Sequence, residues 1–356
     1  MLIRILVDTF ADEGLTNAQM SNGREIIARL SPERFHVTTF VVDVPDRRIE
    51  ARENTRLVRV PRRRQTPTIF REFLFGSHDL LFYPKASPAM KWYMRTRSLR
   101  GVRGLTVATI ESQMNLRDEP TVTAESVDLF EQTVLRADHL FSNSSLVARS
   151  LKANYGRTSE VIPTGVDSEY FAPLRERPKN VRPRVLFVGS LRGFKGPDVV
   201  LNAAERFRDA DFVIVGDGVL SASLHARATT LANVEMKGLL AVQDVREEYR
   251  RADIFLFPSR WEGSPKVVSE AAACGLPIIA RKYYEPETVV DGITGFLVGE
   301  DDELFSRLDF LLAHRTEREA MGLRGREHIR TFDWKTIVQR WEDVFARLVP
   351  QNGARA

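Results

Sequence analysis

The chain has 356 residues, of which 43% are hydrophobic and 28% charged, and a formal net charge of +4. These values fit a globular protein of two domains with ample core, and the charge suits an anionic ligand without requiring nucleic acid or a membrane as partner. The single cysteine, Cys274, excludes an internal disulfide and a cysteine-based metal site.

Leu2–Val7 reads as an apolar strand running straight into structure, so no signal peptide is expected. No apolar run reaches the length of a membrane span, and cytoplasmic residence is expected. A loop with Gly14 and a helix near Asn17–Leu30 follow. Further strands are predicted at His36–Val42, Leu57–Val60, Leu80–Tyr83, Leu105–Ile110, His139–Ser142 and Val161–Ile162, with helices between. The stretch Phe171–Pro183, rich in proline and charge, reads as a linker. The alternation then restarts with a strand at Arg184–Val188, a helix at Pro197–Phe207 and strands at Phe212–Val215 and Val234–Met236. A helix at Val242–Arg251 leads to strands at Ile254–Phe257 and Pro277–Ala280.

Strand–helix alternation implies a parallel sheet covered on both faces, and two such runs imply an α/β protein of twin Rossmann-like domains facing across a cleft. The expected division is 1–171, a linker at 172–183, and 184–332. At the end, Trp334, Ile337, Trp341, Val344 and Leu348 share one face of an amphipathic helix over 333–349, expected to return to the first domain.

The most informative residues are Glu262 and Glu270, in RWEGSPKVVSEAAACGLPIIA. At about 100° per residue, eight steps would leave the two carboxylates roughly 80° apart on one helix. Acting on one ligand therefore requires Glu262 to lie outside the helix. Ser264 is a suitable N-cap, Pro265 fits the first helical position, and the following residues are helix-compatible. Glu262 and Gly263 then belong to the loop leading in, and Glu270 to the helix. The amides of Lys266 and Val267 stand at the positive end of the dipole, prepared for an anion. An acid on a loop, a phosphate-ready helix start and a second acid suit a diphosphate flanked by polyols.

Around this pair the chain resembles the retaining, nucleotide-sugar-dependent glycosyltransferases of GT-B fold, in the glycosyl transferases group 1 family related to glycogen synthase. The segments that carry the likeness come in order: ADHLFSNSSLVARSL, VIPTGVDSEYFAP, VLFVGSLRGFKGPDVVLNAAERF, DFVIVGDG, VEMKGLLAVQDVREEYRRADIFLFPSRWEGSPKVVSEAAACGLPIIA and VVDGITGFLV. The resemblance implies that Glu262 contacts the donor sugar and Glu270 the ribose, since an ionised carboxylate accepts well from vicinal hydroxyls. Lys195, in GSLRGFKG, matches the lysine that offsets the diphosphate charge as it departs. Ser190 stands where the family usually has arginine, and Arg192 is the candidate to replace it. Gly189 and Gly14 match glycines beside the donor, and Gly238 and Leu239 match the backbone that reads the base. Where the family ends a first-domain strand with histidine, this chain has Glu111, a candidate to bind the acceptor or to face positive charge at the reacting sugar.

Other signals carry less. Asp209-Ala210-Asp211 spells a metal-binding tripeptide of a different architecture, but it precedes a strand and lies at the wrong end of a sheet for ligand work. Gly216–Gly218 lacks dinucleotide-fingerprint spacing. Arg59, Arg62–Arg64, Lys91, Arg95, Arg97 and Arg100 make the first domain locally basic. Their bland reading is a solvated face; the sharper one is an anionic acceptor or weak docking on an acidic membrane surface.

The resemblance thus leads to the expectation of a retaining, metal-independent transferase without a cofactor. It would use a UDP-, GDP- or ADP-linked sugar and a sugar or other hydroxyl acceptor. The competing readings are an epimerase or hydrolase of the same fold, and a non-catalytic nucleotide-sugar-binding protein, for which Ser190 and Glu111 speak.

Overall fold

The computed structural model describes residues 2–13, 18–97, 104–112, 123–176 and 180–349. The chain divides into two compact units, Met1–Thr164 with Trp334–Ala356, and Gly165–Asp333. The division falls ahead of the segment read as a linker. Phe171 is buried and meets Tyr249 of the second unit at 6.0 Å between ring centroids. The Arg250 guanidinium donates to the Ala172 carbonyl at 2.8 Å.

The first unit is built on a parallel sheet of β1 (Ile3–Phe10), β2 (Phe35–Val41), β3 (Thr55–Arg59), β4 (Leu80–Phe82), β5 (Leu105–Ile110), β6 (His139–Ser142) and β7 (Glu160–Val161). Their spatial order is β3-β2-β1-β4-β5-β6-β7, so chain order reverses between β1 and β4. The second unit repeats the plan with β8 (Arg184–Val188), β9 (Asp211–Val215), β10 (Val234–Gly238), β11 (Ile254–Phe257), β12 (Ile278–Arg281) and β13 (Gly295–Val298). Its order is β10-β9-β8-β11-β12-β13, with the reversal between β8 and β11. Among the described residues every strand pair in both sheets is parallel. The central strands are buried on both faces, which explains why they read as unbroken apolar runs. Two Rossmann-like α/β sheets are therefore present.

Most elements lie within a residue or two of their sequence positions. The largest shift is in β1, which runs on to Phe10. Polar Asp8 and Thr9 within it are buried, a pairing of polarity and burial that hydrophobicity cannot signal. The strand Gly295–Val298 and the helices Asp301–Ala313 and Arg315–Ile329 complete the second unit beyond the predicted elements.

The helix Trp334–Leu348 belongs to the first unit's core. Trp341 packs on Phe82 and Phe141 at centroid distances of 4.8 and 4.9 Å, and Phe345 meets Phe82 at 5.0 Å. Glu342 adds polar anchoring by accepting from the Ser31 amide at 2.7 Å and from Arg34 at 2.6 Å. Trp341→Ala is expected to destabilise the first unit by about 3–5 kcal/mol through the cavity it opens, read as a lowered denaturation midpoint. A midpoint within error of wild type would contradict the packing.

Candidate functional site

In a parallel sheet all strand ends of one kind share one edge, and ligands of such folds collect at the carboxyl edge where strand order reverses. In the second unit that point lies between β8 and β11, and the two loops leaving these strands bring Lys195 and Glu262 together. The Lys195 ammonium is ion-paired with Glu262 Oε1, and Ser259 Oγ donates to the same oxygen at 2.6 Å. Both side chains of the pair are largely shielded, at 18% and 11% exposure. Lys195 Nζ also sits 5.3 Å from the Phe194 ring centroid and 5.5 Å from that of Phe257, so aromatic faces support the cation. The loop that carries Lys195 is fixed by Gly196. Its φ is +68°, and a Cβ there would lie 2.9 Å from the Pro258 carbonyl oxygen.

Glu262 lies outside the helix and Glu270 within it, as the spacing argument requires. The cap differs from expectation. The helix begins at Lys266, and Pro265 occupies the N-cap position with φ −71° and ψ 114° and no side-chain capping bond. Ser264 is thus not the cap. Proline's fixed φ serves the extended residue just before the helix instead of its first turn. The helix start still directs its first amides, from Lys266 and Val267, out of the N-terminal end. Gly263, half-buried like Ser264, completes the loop.

Glu270 has a separate partner. Tyr249 Oη donates to Glu270 Oε2 at 3.0 Å. Burial raises the Glu270 carboxyl above its ordinary range, opposed by the Tyr249 hydrogen bond and the Lys266 charge. Tyr249 is fully buried, and burial together with that carboxylate pushes its phenol well up.

Gly189 lies at the exit of β8, where its amide donates to the Val215 carbonyl at 3.0 Å. Gly216, at the exit of β9, has φ +139°, and a Cβ there would fall 1.9 Å from the Gly189 oxygen. The glycine of the GDG tripeptide therefore lets two adjacent strand exits touch. Gly238 ends β10 with φ +67°, and Leu239 beside it is 82% exposed. Arg192 is exposed and its guanidinium makes no hydrogen bond or ion pair among the described residues. Asp211 begins β9, so the Asp209–Asp211 tripeptide lies at the amino edge.

Glu111 belongs to the first unit, at the exit of β5. Asn22 Nδ2 donates to its Oε1 at 2.8 Å, and Tyr83 Oη donates to the same oxygen. Asn143 Nδ2 holds the Glu111 carbonyl at 3.1 Å. Oε2 receives no hydrogen bond from a described residue. Tyr83 is buried with φ +61°, a strained conformation for an aromatic residue and one typical of sites that over-determine a side chain. Burial, then the Glu111 charge, push its phenol well up. Beside it, Lys85 places a buried Nζ with no hydrogen-bond partner 4.5 Å from the Phe10 ring centroid. Burial lowers the Lys85 pKa, partly offset by Asp8. Gly14 lies outside the described residues, as does Arg100 of the basic stretch.

Sequence reasoning did not find Ser259, Tyr249, Tyr83 or Asn22. Ser259 had a faint local signal, three residues before Glu262. The other three meet their carboxylates only through tertiary packing. Among the described residues no group of three or more histidine, cysteine or acidic side chains is arranged to hold a metal ion, and no helix is long and apolar enough to cross a membrane.

The two reversed parallel sheets are those of the GT-B glycosyltransferase fold. Residues 182–314, within the second unit, match the family model described as Glycosyl transferases group 1. Over 244 residues it is 29% identical to a D-inositol 3-phosphate glycosyltransferase of Nocardiopsis dassonvillei, covering 60% of this chain and 57% of that one. The chain spans little more than half the length of the curated relatives it matches, 52% and 59% for two others of the same description. Among solved structures, sucrose-phosphate synthase from Thermosynechococcus elongatus superposes with a TM-score of 0.79 at 19% identity, over 97% of this chain and 99% of that one. Anabaena HepE in complex with UDP-glucose gives 0.73 at 18% identity, over 96% and 99%.

The raised Glu270 carboxyl yields a signed expectation. The folded state holds this proton more tightly than the unfolded chain, so ionised Glu270 costs stability above its folded pKa and costs nothing below the unfolded one. Glu270→Gln should therefore raise the melting temperature at neutral pH, and the gain should vanish in acid. A pH-independent difference between the two proteins would contradict the assignment.

Proposed function

We propose that the chain is a glycosyltransferase that moves a sugar from a nucleotide-diphosphate donor to an acceptor hydroxyl, with retention at the anomeric carbon and without a metal. The observation that carries this reading is the Lys195–Glu262 ion pair at the strand-order reversal of the second sheet, ahead of the helix that holds Glu270. The family match over 182–314 supports it, as do the glycosyltransferase relatives and the UDP-glucose bound by the HepE structure.

In this reaction the bond between the anomeric carbon and the diphosphate oxygen breaks, and the leaving group keeps the electron pair. Lys195 and the amides of Lys266 and Val267 offset the charge that develops there, and this is the work otherwise asked of a metal. The acceptor oxygen bonds to the same face of the anomeric carbon, which gives retention. The departing phosphate oxygen accepts the acceptor's proton, so the products are a glycoside and a nucleoside diphosphate. Glu262 accepts hydrogen bonds from the donor sugar, and Glu270 from the ribose diol. Gly189, Arg192, Gly263, Ser264 and Pro265 shape the diphosphate end of the donor site. Gly238 and Leu239 meet the base, where the exposed leucine offers an apolar face.

The first unit takes the acceptor. Glu111, gripped on one oxygen by Asn22 and Tyr83, offers its second oxygen to a hydroxyl of the acceptor. Gly14 remains assigned to the donor by resemblance alone.

The test is incubation of the full chain with UDP-, GDP- and ADP-sugars, with and without hydroxyl acceptors. Nucleoside diphosphate should appear only with acceptor, in EDTA as well, and the product should keep the donor's anomeric configuration by NMR. Glu262→Ala should cut turnover by about 10²-fold or more while leaving donor affinity largely intact. Release without acceptor would indicate a hydrolase, and donor binding without turnover would indicate a binding protein.

A further inference from the structure

The first unit contains a cavity of about 610 Å³ that the donor chemistry does not use. It is lined by the apolar Phe10, Met20, Val42 and Val44 and by the polar Asp12, Asp43, Arg62 and Gln65. The volume lies within the range of small-molecule sites. It opens beside the exits of β1 and β2, on the carboxyl edge of the first sheet.

The cavity is built and held open by the chain. Asp12 accepts from the Val42 amide at 3.1 Å and from the Asp43 amide at 2.5 Å, which ties the exit of β1 to the exit of β2. The Glu13 amide donates to the Val44 carbonyl at 3.0 Å, and the Asp46 amide to the Ala11 carbonyl at 2.6 Å. Arg24 clamps the Asp12 carbonyl at 2.7 Å. These bonds satisfy the backbone and leave apolar side chains facing the space. Val44, which lines the space, is 62% exposed. At the rim, Arg62 pairs with Asp43 at 2.6 Å.

We propose that this cavity binds the apolar part of an amphiphilic acceptor: an alkyl or aryl group joined to the hydroxyl-bearing moiety that is glycosylated. The inference rests on the proposed transferase reading and names the acceptor class for it. A simple free sugar would leave the apolar walls wetted. An apolar tail would bury them, with its polar end toward the Asp43–Arg62 rim.

The experiment measures equilibrium binding of methyl, hexyl and octyl glucoside to the full chain, each below its micelle-forming concentration. Transferase turnover is followed on the same samples. Affinity should rise at least tenfold from methyl to octyl glucoside. Val44→Asp, at a position exposed enough to keep the fold, should remove most of that rise and leave nucleotide affinity unchanged. Equal affinity for the three glucosides, or a rise that persists in Val44→Asp, would overturn the proposal. A chain-length effect without turnover would support the cavity and count against the transferase reading. Turnover with flat chain-length dependence would do the reverse.

Discussion

The second unit depends on bringing one lysine and one glutamate together at the place where strand order reverses. Lys195 leaves the sheet after β8 and Glu262 after β11, and these strands are neighbours only because the chain returns to the centre after building β9 and β10. At most other positions a pair of such charges would be solvated and weak. Here aromatic rings and a shielded setting hold the cation, and Ser259 steadies the carboxylate. The pair is preorganised before any ligand arrives. For a reaction that develops charge on a departing diphosphate, that preorganisation is the main thing a protein can supply.

Preorganisation recurs at each carboxylate singled out. Glu270 is held by a buried tyrosine and Glu111 by a buried tyrosine and an asparagine, in each case with one oxygen engaged. Burial raises the Glu270 carboxyl, and only one phenol and the Lys266 charge oppose it. Such a group, once ionised, costs the folded state stability. Tyr83 shows the same economy in its backbone, since a buried aromatic residue at φ +61° is retained only where its position matters.

How much of this was legible depends on the range of the interaction. The α/β class and both sheets follow from local alternation, because each strand is buried on two faces and therefore reads as apolar. The separation of Glu262 from Glu270 was readable because helical geometry is local as well. The cap was misread for a local reason: Pro265 suits both the first helical position and the extended residue before it, and the chain uses the second. Tyr249, Tyr83 and Asn22 were not readable, since each reaches its carboxylate from a distant element. Gly216 was set aside as part of a weak motif, yet its missing side chain is what allows the exits of β8 and β9 to meet.

The central claim is that Lys195, held by Glu262, exists to meet a diphosphate. The direct measurement is a calorimetric titration of wild type and Lys195→Met with the nucleoside monophosphate and diphosphate of the base that binds best. The account predicts that wild type prefers the diphosphate by about tenfold or more, as expected for a charged hydrogen bond, and that Lys195→Met loses this preference while its monophosphate affinity stays close to wild type. An undiminished preference for diphosphate in Lys195→Met would contradict it.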